Sequence, residues 1–231
     1  MPPSDIIVGP GNLHVTAAKQ LLAGSVAIDM LAGPSELVII ADETANPAWV
    51  AADLLAQAEH DPEALPILIS LDHDLISRVE EAVRIQLADL PTAEIAEAAL
   101  QKGGALVCST VEEAVRVCDA IAPEHLQLSV GDPTELESRL SHYGALFIGE
   151  GSAEVFGDYG VGPNHVLPTS GTARSRGGLS VIDFVRIRTW MKLDGSLPRE
   201  LVEDSAWMAR EEGLEAHARA AEFRLGARSD L

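Results

Sequence analysis

Between Leu37 and Gly149, short apolar runs alternate with longer segments of helical period. Leu37–Ala41, Ile67–Leu71, Ala105–Cys108 and Ala145–Ile148 read as strands, and Leu126–Leu128 as a short extended piece. The segments between them repeat their apolar residues every three or four positions. Strands that are apolar on both faces and separated by helices can satisfy their edges and faces together only in a parallel sheet covered on two sides. The expected fold class is therefore α/β: a partial doubly wound, mostly parallel, Rossmann-like sheet.

Punctuation supports this alternation. Asn46 is a good N-cap, and Pro47 suits the first helical position, where a missing N–H costs nothing. Trp49, Ala52, Asp53, Ala56, Gln57 and His60 then recur at helical spacing until Asp61-Pro62 ends the helix. Thr110 can cap a helix over Val111–Ile121. Upstream, Asp5–Val8 approaches the turn Gly9-Pro10-Gly11-Asn12. A helix over Val15–Leu22, a strand over Gly24–Met30 and a turn at Ala32–Ser35 follow. Gly149–Gly178 is glycine-rich and has little period, as a long functional loop would. Pro198–Arg224 is helical and strongly charged.

The 231 residues and 47% hydrophobic content support a sizeable core. The formal charge of −20 argues against nucleic-acid or anionic-membrane partners, which call for a basic footprint. Two cysteines, Cys108 in a strand and Cys118 in a helix, make no disulfide framework and are placed for core packing. The absence of a signal-like start and of an apolar run of ~20 residues leads us to expect a soluble cytoplasmic protein.

Several clusters could carry chemistry. Gln57 and His60 share a helix face, and an imidazole beside an oxygen donor suits zinc. Taken alone, the pair is more simply a dipole-stabilised His beside a solvated Gln at a helix end. Glu124-His125 follows Pro123, and both side chains can be tuned for acid–base work, although an isolated Glu-His pair is more often a surface pair. Asp158, Asn164 and His165 sit in one glycine-bounded loop, where Asp158 could ligate a metal and His165 could bind substrate. Asx turns at Asp158 and Asn164 are the alternative. Glu212 and His217 lie in a helix-like tail whose default reading is a solvated surface. His14, His73 and His142 have no convergent neighbours in sequence.

Together, GPGN (9–12), IDMLAGPSE (28–36), ADETANPAWVAADLLAQAEHDP (41–62), APEHL (122–126), GDYGVGPNHVLPT (157–169), GLSV (178–181) and EGLEAHA (212–218) closely resemble the histidinol dehydrogenase family. That family oxidises L-histidinol to L-histidine through the aldehyde, with two NAD+ and one zinc ion per site. The resemblance implies zinc on Gln57, His60, Asp158 and His217, and Glu124 and His125 as proton acceptors. Ser35, His165 and Glu212 join Gln57, His60, His125, Asp158 and His217 in contacting substrate, and Asn12 contacts NAD. It also implies a homodimer in which Glu212 and His217 cross to the other subunit. Family members are about twice as long, so the chain is expected to match their C-terminal half. Residues 1–34 would be a remnant of a dinucleotide-binding domain, 35–179 the catalytic domain and 180–231 a helical dimerisation arm. Ser175-Arg176-Gly177 and Ile187 depart from the family pattern. Oxidation of another small alcohol, such as a sulfonated diol, and a non-catalytic zinc-binding dimerisation fragment are the competing readings.

Overall fold

The computed structural model describes residues 3–11, 13–193 and 197–226. These fall into two compact units divided between Val185 and Arg186.

The first unit opens with a small βαβ element. β1 (Ile6–Ile7), α1 (Leu13–Leu22) and β2 (Ala27–Ile28) follow in order, and β1 and β2 pair in parallel. Only Ala27–Ile28 is strand, a shorter element than the sequence over 24–30 predicts, because the Ala23, Ser25 and Val26 N–H groups still bond back to the end of α1. So short a parallel pair is weak by itself. A buried ion pair ties it down. Lys19 Nζ lies 2.6 Å from Asp29 Oδ1, and Asp29 also accepts from the Gly9 and Met30 N–H groups.

The chain then builds β3 (Glu36–Ala41), α2 (Pro47–Ala58), β4 (Leu65–Ser70), α3 (His73–Leu87), α4 (Ala93–Leu100), β5 (Gly104–Val107), α5 (Val111–Ile121), β6 (His125–Ser129), α6 (Thr134–Arg139) and β7 (Ala145–Ile148). The five strands are parallel in the order β5-β4-β3-β6-β7. The sequence reading of a doubly wound parallel sheet holds. Asn46 accepts from the Ala48 N–H and Thr110 from the Glu113 N–H, so both expected caps form.

Because strand side chains alternate, β3 feeds two cores at once. Leu37, Ile39 and Ala41 meet Val50, Ala51 and Leu54 of α2 and Leu75 and Val79 of α3. Val38 and Ile40 meet Leu126 and Leu128 of β6 with Ala114 and Cys118 of α5 on the opposite face. Trp49 and Ala52 point to solvent, so the apolar face of α2 is rotated from the one the spacing predicts.

The sequence analysis underestimates β6, which is a complete strand in the middle of the sheet. Its Leu126 and Leu128 face the second core. His125, Gln127 and Ser129, also buried, share the α2 side with Leu37, Ile39 and Ala41, their register partners. A polar half-strand breaks the apolar run by which buried strands are recognised. Cys108 lies just past β5 rather than within it, and is buried all the same.

After β7 the chain runs irregularly, but not wholly so. A single helical turn, α7 (Val155–Asp158), and a 3-10 turn at Thr172–Arg174 interrupt it. A second 3-10 turn at Val181–Phe184 is closed by a capping box of Ser180 and Asp183.

In the second unit, α8 (Arg199–Glu211) and α9 (Glu215–Gly226) form a helical hairpin around Val202, Ala206 and Ala218. Gly213 turns the corner at a φ of 75°, a conformation that favours glycine. Arg210 bridges Glu215 and Glu222. None of the described helices is long and apolar enough to cross a membrane.

Candidate active site

The amino-terminal ends of β3 and β6, adjacent in the sheet, bring Ser35, Glu36, Glu124 and His125 together. Doubly wound sheets usually place ligands beyond the carboxyl ends of their strands. Here the polar groups gather at the other end.

Glu124 enters β6 from Ala122, a left-handed residue at φ 53° that caps α5. Its Oε2 accepts from Ser35 Oγ at 2.6 Å and from the Glu36 N–H at 3.0 Å. Burial pushes its carboxyl up to about 7, against the pull of those two donors, and the nearby Glu36 and Glu154 add to the rise. The carboxyl is therefore poised between acid and base at neutral pH.

Glu36 holds the opposite wall. Its Oε1 accepts from the Ser170 N–H at 2.7 Å, while Oε2 is buried without a partner. Burial raises its pKa as well. Thr169 Oγ1 accepts from the Gly33 N–H, and a Cβ on Gly33 would collide with Ser170 Oγ. The 32–35 turn and the 165–170 loop therefore close on each other.

His125 is buried beside Phe147, with ring centroids 5.9 Å apart. Its Nδ1 lies 3.2 Å from the Glu36 carbonyl oxygen. A carbonyl only accepts, so Nδ1 carries the proton and Nε2 the lone pair. Burial is the main cause of a pKa lowered to about 4, helped by His60 and His165 and opposed by Asp158 and the Glu36 carbonyl. The imidazole is therefore neutral at pH 7.

His60 stands just past the end of α2, with Nε2 3.9 Å from Asp158 Oδ2. Ser35, His60, Glu124, His125, Asp158 and His165 all line one cavity of about 200 Å³. A larger cavity of about 630 Å³ shares Ser35 and His60 and adds His14, Asp61 and Glu63. His14 thus has convergent neighbours in the fold that it lacks in sequence. Asn164 makes the Asx turn anticipated for it, accepting from the Val166 N–H at 2.8 Å, and its amide donates to the Leu179 carbonyl.

Gln57 is not solvated. It is fully buried, and neither its amide oxygen nor its nitrogen has a hydrogen-bond partner. Nor are Glu124 and His125 a surface pair. His60 and Asp158, 3.9 Å apart, offer an imidazole and a carboxylate of the kind zinc takes, and Gln57, three residues before His60 in sequence, carries an orphaned amide.

Glu212 and His217 belong to the second unit, where Glu212 caps α8 and His217 sits in the first turn of α9. Asn12 lies outside the described residues. Cys108 and Cys118 are buried, burial raises both thiols, and neither lines the site cavity.

Sequence reasoning missed Glu154. It precedes α7, is 2% exposed, and holds a carboxylate oxygen within 4.8 Å of ligand atoms of both His60 and Asp158. The signal was its position four residues before Asp158, which places the two carboxylates on one side of a helical turn.

A family model for histidinol dehydrogenase matches residues 1–225. The chain is 50% identical to histidinol dehydrogenase from Thermus thermophilus over 224 residues, covering 97% of this chain and 54% of that protein. Against the enzyme from Geobacillus kaustophilus the identity is 51% over 224 residues, or 96% of this chain and 53% of the relative. The fold is similar to the crystal structure of histidinol dehydrogenase from Elizabethkingia anophelis, with a TM-score of 0.91 at 39% identity, over 98% of this chain and 53% of that one. The chain thus spans about half the length of the curated relatives it matches. An acetylating aldehyde dehydrogenase from Geobacillus thermoglucosidasius shares the fold alone, with a TM-score of 0.52 at 13% identity.

Proposed function

Because this chain belongs to the histidinol dehydrogenase family, we propose that it carries the proton-transfer and metal-binding cluster of a zinc-dependent oxidation of L-histidinol to L-histidine through L-histidinal. Alcohol to acid is a four-electron change, so two NAD+ accept the two hydrides. The observation that carries the reading is His125: a buried, neutral imidazole whose proton is fixed on Nδ1 by the Glu36 carbonyl.

His125 Nε2 accepts the substrate hydroxyl proton as the first hydride leaves. Glu124, poised near neutrality and oriented by Ser35 and the Glu36 N–H, accepts a proton from the water that adds to the aldehyde. The hydrate then gives up the second hydride, with His125 again the acceptor of the hydroxyl proton. His165 and Ser35 line the same cavity and contact the substrate. Gln57, His60, Asp158 and His217 would hold zinc, which as a Lewis acid would anchor the imidazole and amine of the substrate. In this reading, residues 1–34 belong to the dinucleotide-binding part, with Asn12 touching NAD. Residues 35–179 are the catalytic domain, and residues 180–231 form a dimerisation arm that donates Glu212 and His217 to the other subunit of a homodimer.

A second reading follows from the coverage. A chain that spans about half of its relatives could retain the metal cluster as a non-catalytic dimerisation fragment. NADH formation by the purified chain, assayed with zinc and with chelator, tests both. Zinc-dependent turnover of L-histidinol in preference to a sulfonated diol supports the enzyme. A folded, zinc-loaded chain with no turnover on either alcohol overturns it in favour of the fragment.

A further inference from the structure

Glu36 opens β3 and is 5% exposed. It reaches the site through three groups. Its N–H donates to Glu124 Oε2 at 3.0 Å, and its carbonyl accepts from His125 Nδ1 at 3.2 Å. Any residue could supply those two from its main chain. The third belongs to the side chain alone: Oε1 accepts from the Ser170 N–H at 2.7 Å, across 134 positions of sequence.

Thr169 to Thr172 form a turn, closed by the Thr172 N–H on the Thr169 carbonyl at 3.1 Å. Its central residues, Ser170 and Gly171, stand at φ 56° and 74°, the pattern of a type I′ turn. Gly171 adopts that conformation freely, whereas a residue with a side chain, such as Ser170, is disfavoured there. The turn therefore depends on bonds from outside it. Two reach it from the 33–36 segment, the Glu36 carboxylate on the Ser170 N–H and the Gly33 N–H on Thr169 Oγ1. His165, Val166, Leu167 and Thr169, just ahead of the central pair, line the site cavity together with Glu124 and His125.

We propose that Glu36 is a positioning residue: its side chain latches the 169–172 turn, and through it the His165 loop, onto the acid–base pair that its main chain orients. One residue then holds both parts of the cavity in register. The inference deepens the functional reading above and rests on that cavity being the substrate site. The latch needs reach, because an acceptor must meet the Ser170 N–H, and it does not need charge.

The test compares the full chain as parent, E36Q, E36D and E36A, with far-ultraviolet circular dichroism to check folding. E36Q keeps the reach and loses the charge, and E36D does the reverse. NMR of the metal-free protein reports the Ser170 amide and the His165 ring. Calorimetric titration with L-histidinol, without NAD+, reports binding by the zinc-loaded chain. E36D and E36A are expected to move both NMR signals and to weaken binding about ten-fold, the order of one hydrogen bond, with E36Q within about two-fold of the parent. E36D behaving as the parent while E36Q behaves as E36A would overturn the latch, and so would unmoved signals in every variant. If E36A does not fold, the contrast of E36D with E36Q decides. A parent that binds no L-histidinol would overturn the substrate reading, and the NMR signals would still decide the latch.

Discussion

His125 Nδ1 sits 3.2 Å from the main-chain oxygen of Glu36, across the pairing of β6 with β3. The bond joins fold to chemistry, because strand register sets which imidazole nitrogen is basic. Leu37 pairs with His125, and a one-residue slip would turn the ring to the other face of the sheet.

Replacing that ring should separate chemistry from binding. H125N is expected to lower kcat by about 10²–10⁴-fold, the usual worth of a general base, with a much smaller change in KM. Steady-state kinetics on whatever assembly proves active would check it. A fall of under ten-fold would remove His125 as the base.

The same burial makes His125 a pH sensor of stability. Its folded pKa, about 4, lies below the ordinary 6.5, so the unfolded chain binds the extra proton between those values. Stability should fall as pH drops from about 6.5 towards 4. Urea denaturation of the metal-free chain should show this slope, and H125N should flatten it.

Glu124 works in the opposite direction. Its folded pKa is raised from 4.5 to about 7, so here the folded chain holds the extra proton. The contribution is present below the unfolded value and is lost as pH rises from about 4.5 through 7. The stability of E124Q relative to the parent should therefore grow across that window. A constant difference would mean that the carboxyl is not shifted.

Gln57 should show a trade between stability and metal. An unsatisfied buried amide costs about 1–3 kcal/mol, and Met has a similar volume without that cost. Q57M is expected to raise Tm in chelator and to reduce the further rise on adding zinc. Calorimetry with and without zinc checks both halves, and a Q57M that melts lower in chelator would contradict the account.

The sheet and its helices were legible because β3 and β4 are apolar runs, and Asn46 and Thr110 announce their caps. The centre of the site was not, for a physical reason. His125, Gln127 and Ser129 spend the buried α2-facing side of β6 on polar groups, so the sequence shows this strand only as a short extended piece over Leu126–Leu128. Glu154 was hidden by distance in sequence: ninety-four positions separate it from His60, and only the crossover after β7 returns it. The helix period puts Gln57 and His60 on one face, but α2 ends at Ala58, so Gln57 is buried within the helix while His60 lies exposed beyond it. The period could not show that Gln57 is buried, because burial there depends on what packs over α2. Resemblance to a family supplied roles that periodicity alone left open.

Gly144 offers the sharpest test of how the sheet holds Glu124. It stands just before β7, and its N–H donates to the Pro123 carbonyl at 2.9 Å. A Cβ there would meet the Glu124 carbonyl oxygen at 2.5 Å and the Pro168 ring at 3.1 Å. Neither neighbour yields easily, since one is the main chain leading into the interior strand β6 and the other a buried proline. G144A should therefore cost about 1–3 kcal/mol, the usual penalty of overpacking. The displacement has to pass to the 122–125 entry of β6, so the hydrogen bonds from Ser35 Oγ and the Glu36 N–H to Glu124 should lengthen. Denaturation gives the first number, and the amide shift of Glu36 by NMR reports the second. A G144A chain as stable as the parent, with the Glu36 amide unmoved, would show that β6 and β7 are packed less tightly there than these distances require.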